Sequence, residues 1–126
     1  MNSHKNRPII EDQRVFVYYN LHKKVFSIKS LEGKTKGKVI AHANEVMLRN
    51  CIFKVNEKNR LRVLKTRQKN VHAGVIGYLS LTSSMKKGSQ EVTYNPYFYS
   101  SFVDCRTKSP IHSAKSAYLI NKKIYI

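Results

Sequence analysis

The stretch Arg14-Val-Phe-Val-Tyr-Tyr-Asn-Leu-His-Lys-Lys-Val-Phe-Ser-Ile-Lys-Ser-Leu31 decides the fold class. Val15, Val17, Tyr19 and Leu21 fall on one face of an extended chain, with Phe16 and Tyr18 on the other. After His22-Lys23-Lys24, Phe26 and Ile28 alternate with Ser27 and Lys29. Successive side chains of a strand point to opposite faces, so a period of two marks a half-buried strand. Two such runs split by a short polar joint predict a β-hairpin.

Working outward, residues 1–13 are polar and aperiodic and are expected to form a flexible N-terminal arm, leaving 14–126 as a single β-rich domain. Gly33 and Gly37 bracket a turn, Leu31-Glu-Gly-Lys-Thr-Lys-Gly37. Residues 38–43 and 46–55 predict strands; in the second, Cys51, Phe53 and Val55 alternate with Ile52 and Lys54. Residues 56–68 change character. Asn56 is a good N-cap, Glu57 suits a first turn, and no Gly or Pro intervenes before Gly74, which predicts a short helix. Leu61 and Leu64 are expected to face the sheet.

Residues 71–81 return to strand character, interrupted by Gly74 and Gly77; glycine there signals a bulge, a barrel corner or the close approach of another backbone. A polar loop at 82–90 precedes strands at 91–94, 97–103 and 111–119, with breaks at Asn95-Pro96 and Arg106-Thr-Lys-Ser-Pro110 and a last edge at 124–126. The expected class is α+β and mostly β: a small curved sheet or barrel-like domain with one short helix.

Charge dominates the composition. The 126 residues carry 24 Lys and Arg against 7 Asp and Glu, a formal net charge of +17. A small domain needs a net charge of only about 2–8 for solubility. The excess repels itself and attracts phosphates, so a polyanionic partner is expected. Its densest part is Lys54, Lys58, Arg60, Arg62, Lys65, Arg67 and Lys69 against one acid, Glu57. On a helix, Arg62, Lys65 and Lys69 fall within about a 60° arc. A solvated helix face would carry acids at i,i+4, and these are missing.

A second cluster, Lys34, Lys36 and Lys38, sits on the glycine-bracketed turn, where backbone amides offer a phosphate nest or the lysines simply keep a hairpin tip soluble. Tyr18, Tyr19, Tyr94, Tyr97, Phe98 and Tyr99 are candidates for stacking on unpaired bases, and Tyr94 and Tyr97 are the best placed because they flank a turn.

Catalytic classes find little support. His4, His22, His42, His72 and His112 are scattered, Cys51 and Cys105 have no CxxC partner, and the seven acids are dispersed. No metal or cofactor is expected. The thiols read as buried and free, as in a reducing compartment. No run approaches 18 apolar residues, and the N-terminus lacks the apolar block of a signal peptide, so no membrane contact and a cytoplasmic location are expected.

Five strings carry a resemblance: Tyr18-Tyr-Asn-Leu-His-Lys-Lys24, Val39-Ile-Ala-His-Ala43, Lys69-Asn-Val-His-Ala-Gly74, Tyr94-Asn-Pro-Tyr97 and Pro110-Ile-His-Ser-Ala114. In this order they resemble a family of small basic proteins encoded by tailed bacteriophages. The resemblance implies a setting, the cytoplasm of an infected bacterium, and no mechanism.

The leading expectation is non-catalytic binding of RNA or DNA through Lys34, Lys36, Lys38, Lys58, Arg60, Arg62, Lys65, Arg67, Lys69, His72, Tyr94 and Tyr97. The alternative is a phage protein that inhibits or redirects a host protein or defence complex by binding an acidic or nucleic-acid-facing surface. A metal-free ribonuclease with His72 as the acid–base group ranks third, since that chemistry needs only positioned groups of suitable pKa.

Overall fold

A computed structural model describes residues 2–3, 7–81 and 90–126. Most of the polar loop expected at 82–90 lies outside the described residues. The strands are β1 (Asn2–Ser3), β2 (Arg14–Asn20), β3 (Val25–Ser30), β4 (Val39–Ala43), β5 (Glu45–Val55), β6 (Ala73–Leu79), β7 (Glu91–Thr93), β8 (Phe102–Asp104), β9 (Pro110–Ile111), β10 (Ser113–Ile120) and β11 (Lys123–Tyr125). One helix, α1 (Glu57–Thr66), joins β5 to β6, and a 3₁₀ turn spans Gly33–Thr35. All strand pairs are antiparallel, in the order β1-β4-β3-β2-β6-β5-β10-β11-β7-β8-β9.

The hairpin forms as expected, with Val17 opposite Ile28 and both fully buried. Asn20 sets its turn, the side-chain carbonyl accepting the amides of His22 and Lys23.

Two joints show how strongly the sheet curves. β4 and β5 are four positions apart in strand order, about 19 Å on a flat sheet, yet a single residue, Asn44, connects them. Two virtual bonds span at most about 7.6 Å. The sheet between them must therefore curl back on itself. On the other side, β8 is also four positions from β5, and Phe102 packs on Phe53 with ring centroids 5.3 Å apart. Both arcs bend toward one concave side, which holds a continuous core including Val15, Val17, Ile28, Ile40, Leu48, Phe53, Val75 and Leu119.

A bulge lets β5 serve both arcs. The register against β6 shifts between Arg49 and Ile52, and Asn50 takes φ +50°. The extra residue changes the alternation, so that Val46, Leu48, Cys51 and Phe53 are all buried. Burial pushes the Cys51 thiol up to about 12, while Cys105 is free and half-buried.

The glycines of β6 are there for space. A Cβ on Gly74 would lie 2.5 Å from the Val17 carbonyl oxygen and 2.6 Å from the Phe16 ring; one on Gly77 would lie 3.1 Å from the Arg49 carbonyl oxygen and Leu48 Cβ.

Several details differ from the sequence expectation. Residues 97–101 are turn and bend instead of strand, because Asn95 gathers the chain: its side chain accepts the Tyr97 amide and its carbonyl those of Phe98 and Tyr99. β11 is no edge; it sits between β10 and β7. α1 docks through Val63, 2% exposed, whereas Leu61, about 160° round the helix from it, is 52% exposed. Among residues 1–13, Ile9 packs on the core, Arg7 donates to the Val39 carbonyl at 2.7 Å, and the Asp12 amide donates to Leu79 at 2.8 Å.

Candidate nucleic-acid interface

Where the two arcs face each other, the concave side opens in a cleft of about 1040 Å³. Four turns make its rim: the β2–β3 turn with Leu21 and His22, the α1–β6 segment with Lys69 to His72, the β7–β8 loop with Tyr94 to Tyr97, and the β10–β11 turn with Asn121 to Lys123. The floor is backed by buried Phe26, Val92 and Phe102.

α1 sets one wall. Asn56 caps it, its side-chain oxygen accepting the Asn59 amide at 3.1 Å. The helix ends at Thr66, with Arg67 left-handed at φ +61°. Lys69 therefore lies beyond the helix, and the arc expected for Arg62, Lys65 and Lys69 is broken after Lys65. The turn brings the chain back so that Lys69 lines the cleft and Arg67 lies over the Tyr97 ring, 5.3 Å from its centroid. Across the opening, Lys122 lies 5.6 Å over the Tyr19 ring. Both pairs combine a cation with a π-face.

His72 and Tyr94 meet where the α1–β6 segment faces the β7–β8 loop. His72 Nδ1 lies 2.9 Å from the Asn70 side-chain oxygen and 3.1 Å from the Asn70 carbonyl; both partners are acceptors, so Nδ1 carries the proton. Nε2 is then the acceptor for the Tyr94 hydroxyl at 2.7 Å. Burial pushes the Tyr94 phenol up to about 12, with Arg60 pulling it down and Glu57 adding to the rise. Tyr94 stays a neutral donor at physiological pH. Its ring also packs on Phe102, 5.2 Å away, which ties the wall to the core.

The expected site residues separate into groups. Lys69, His72, Tyr94 and Tyr97 converge on the cleft, with Arg67 beside them. Lys58, Arg62 and Lys65 are exposed on α1 but do not line the cleft. Arg60 is spent on structure: its side chain is 14% exposed, pairs with Glu57 at 2.8 Å and donates to the Pro96 carbonyl at 3.1 Å, which fastens the β7–β8 loop to the helix. Lys34, Lys36 and Lys38 lie beyond the far end of β3 from the β2–β3 turn; the amides of Lys36 and Lys38 donate to the Gly33 and Thr35 carbonyls of the same turn, and that of Gly37 to Ser30 at the end of β3.

Tyr19, one of the aromatic candidates, also reaches the cleft, and His22, Lys122 and Lys123 reach it with no binding role expected of them. Positive φ at both Asn121 and Lys122 marks a tight two-residue hairpin turn, and Asn121 in a polar pair between apolar runs was its sequence signal.

The acids lie mostly elsewhere. Glu11 and Asp12 pair with Arg49, Glu32 accepts the Arg14 amide, and Asp104 caps its own turn through the amides of Arg106 and Thr107, which with Gln90 holds its carboxyl below the usual range. Glu91 is the one acid on the cleft lining. Among the described residues, no group of three His, Cys, Asp or Glu is placed to hold a metal ion, and no helix is long and apolar enough to cross a membrane.

Comparison with known proteins places the chain in a family. The family described as the Mycobacterium phage L5 gene 82 protein matches residues 9–126. The gene 82 protein of Mycobacterium phage L5 is 37% identical over 112 residues, covering 84% of this chain and 89% of that protein. No solved structure matches.

Proposed function

The chain belongs to the bacteriophage family of the Mycobacterium phage L5 gene 82 protein, and we propose that within it this protein binds nucleic acid without cleaving it, at the mouth of the cleft, in the cytoplasm of an infected bacterium. The observation that carries the reading is the convergence of aromatic rings and cations on one opening: Tyr19 under Lys122, Tyr97 under Arg67, and Lys69 and Lys123 on the rim. Phosphates supply affinity through cations, and exposed rings stack on unpaired bases, so this combination suits single strands. The exposed face of α1, with Lys58, Arg62 and Lys65, extends the positive field beside it.

A salt series with labelled single-stranded RNA and DNA tests the proposal. With about five phosphates neutralised, log K should fall against log[salt] with a slope of roughly −3.5 on single strands and −4.5 on duplex DNA. Absence of binding at low salt would end it. The same RNA, incubated with a chelator, should emerge intact; cleavage that His72→Ala abolishes would make the site catalytic.

A second reading is capture of an acidic host protein, favoured by Phe98, which is 74% exposed on the β7–β8 loop. A pull-down from bacterial lysate with and without nuclease separates the two: a partner that survives nuclease favours the host protein.

A further inference from the structure

We infer that the cleft takes one nucleoside-phosphate unit in depth, base inward and phosphate at the rim, instead of only tracking a strand across its mouth. This rests on the nucleic-acid reading above and goes further, because it names what enters the cavity.

The lining joins three kinds of surface: buried apolar Phe26, Val92 and Phe102, the rings of Tyr19, Tyr94 and Tyr97, and the cations Lys69, Lys122 and Lys123. At about 1040 Å³ the cleft, open on one side, has room for a small ligand. The matching ligand has a flat, mostly apolar body with polar edges and an anionic end. A nucleobase carrying a phosphate has that shape and charge.

Polar groups along the lining argue against a plain hydrocarbon. Asn70, His72, Thr93 and Asn95 all line the cavity, and a buried polar edge is tolerated where partners of this kind are within reach. The His72–Tyr94 bond spends the Tyr94 proton on the imidazole, so the phenolic oxygen keeps lone pairs to accept from an exocyclic amine. Tyr19 and Tyr97 each have a cation near the ring, so a base stacked on either would bring its phosphate close to Lys122 or Arg67.

The ligand chemistry has two sources: a free nucleotide or the end of a single strand. Calorimetric titration of the whole protein with AMP, adenosine, inorganic phosphate and laurate tests the inference. AMP should bind at least about tenfold more tightly than adenosine or phosphate, since base and phosphate each contribute. Tyr97→Ala, at a position 43% exposed and so tolerant of truncation, should weaken AMP by about tenfold, with far-ultraviolet circular dichroism confirming an unchanged fold. Lys122→Glu should weaken AMP by a larger factor than adenosine.

A linear oligonucleotide and a circular one of the same composition then separate the sources. AMP as tight as the linear strand indicates a free nucleotide. A linear strand tighter than both AMP and the circle indicates a chain end. Circle and linear strand binding equally, with AMP silent, overturns the insertion and leaves the nucleic-acid reading standing; silence from every nucleic acid and nucleotide overturns both. Laurate binding more tightly than AMP overturns the insertion by naming an amphiphile as the ligand.

Discussion

Two parts of the chain are comparably rich in lysine and arginine, and the fold treats them differently. The turn carrying Lys34, Lys36 and Lys38 closes on itself: the amides of Lys36, Gly37 and Lys38 bond to carbonyls of the turn and of the adjoining Ser30, it contains no aromatic residue, and none of its residues lines the cleft. The segment after α1 carries Arg67 and Lys69 to an opening where three other turns deliver Tyr19, Tyr97, Lys122 and Lys123. Charge density along the sequence is alike in the two. What separates them is whether the sheet brings distant rings and cations to the same place.

That contrast is open to direct attack. The largest effect expected is on stability. Gly74→Ala drives a Cβ into the Val17 backbone, which has no room to yield, and should cost about 3 kcal/mol in denaturant unfolding. Gly33→Ala meets nothing within 4 Å but keeps φ at +71°, and should cost only about 1 kcal/mol. Equal losses would mean that the cleft wall is no more tightly built than the turn.

Next comes binding. Lys69→Glu with Lys122→Glu should weaken a single-stranded oligonucleotide by about tenfold or more and flatten the salt slope by about 1–2. Lys34→Glu with Lys36→Glu removes the same charge and should cost less than about threefold, as distant exposed charges are screened. If the two pairs lose equally, affinity follows net charge and the cleft has no special role.

The smallest effect concerns the helix. Asn56→Ala removes the cap of α1 and should lower stability by about 1 kcal/mol. The Gly33–Thr35 turn has no side-chain cap to lose: Glu32→Ala forfeits no such bond there, although it removes an acceptor from the Arg14 amide.

Much of the fold could be read locally. The β2–β3 hairpin, α1 with its Asn56 cap, and the role of Gly74 and Gly77 follow from alternation, capping and the absence of a side chain. Residues 97–101 misled because their aromatic content suits a strand, while Asn95 offers three amides a nearer partner. Leu61 misled because helical spacing does not say which apolar stripe meets the sheet. At the site, Lys69, His72, Tyr94 and Tyr97 were legible from composition and turn chemistry. Tyr19 was legible as a candidate ring but not as a neighbour of that group, and His22, Lys122 and Lys123 were not legible at all, since their nearness depends on strand order across the whole sheet.

Asn44 has a consequence for how the molecule assembles. β2, β3 and β4 pair with sequence neighbours, as do β5 and β6 around α1, so each unit forms from short-range contacts. The β2–β6 ladder then joins them across nearly sixty residues of chain, as in Val17 opposite Val75. Long-range pairing is normally the slow event in folding. Here a one-residue tether holds the units together from the outset, so the ladder closes as an intramolecular ring at high effective concentration. The cleft is lined by β2 and β6 from that ring and by the β7–β8 loop and β10–β11 turn from the other arc, so it is complete only once both arcs are in place.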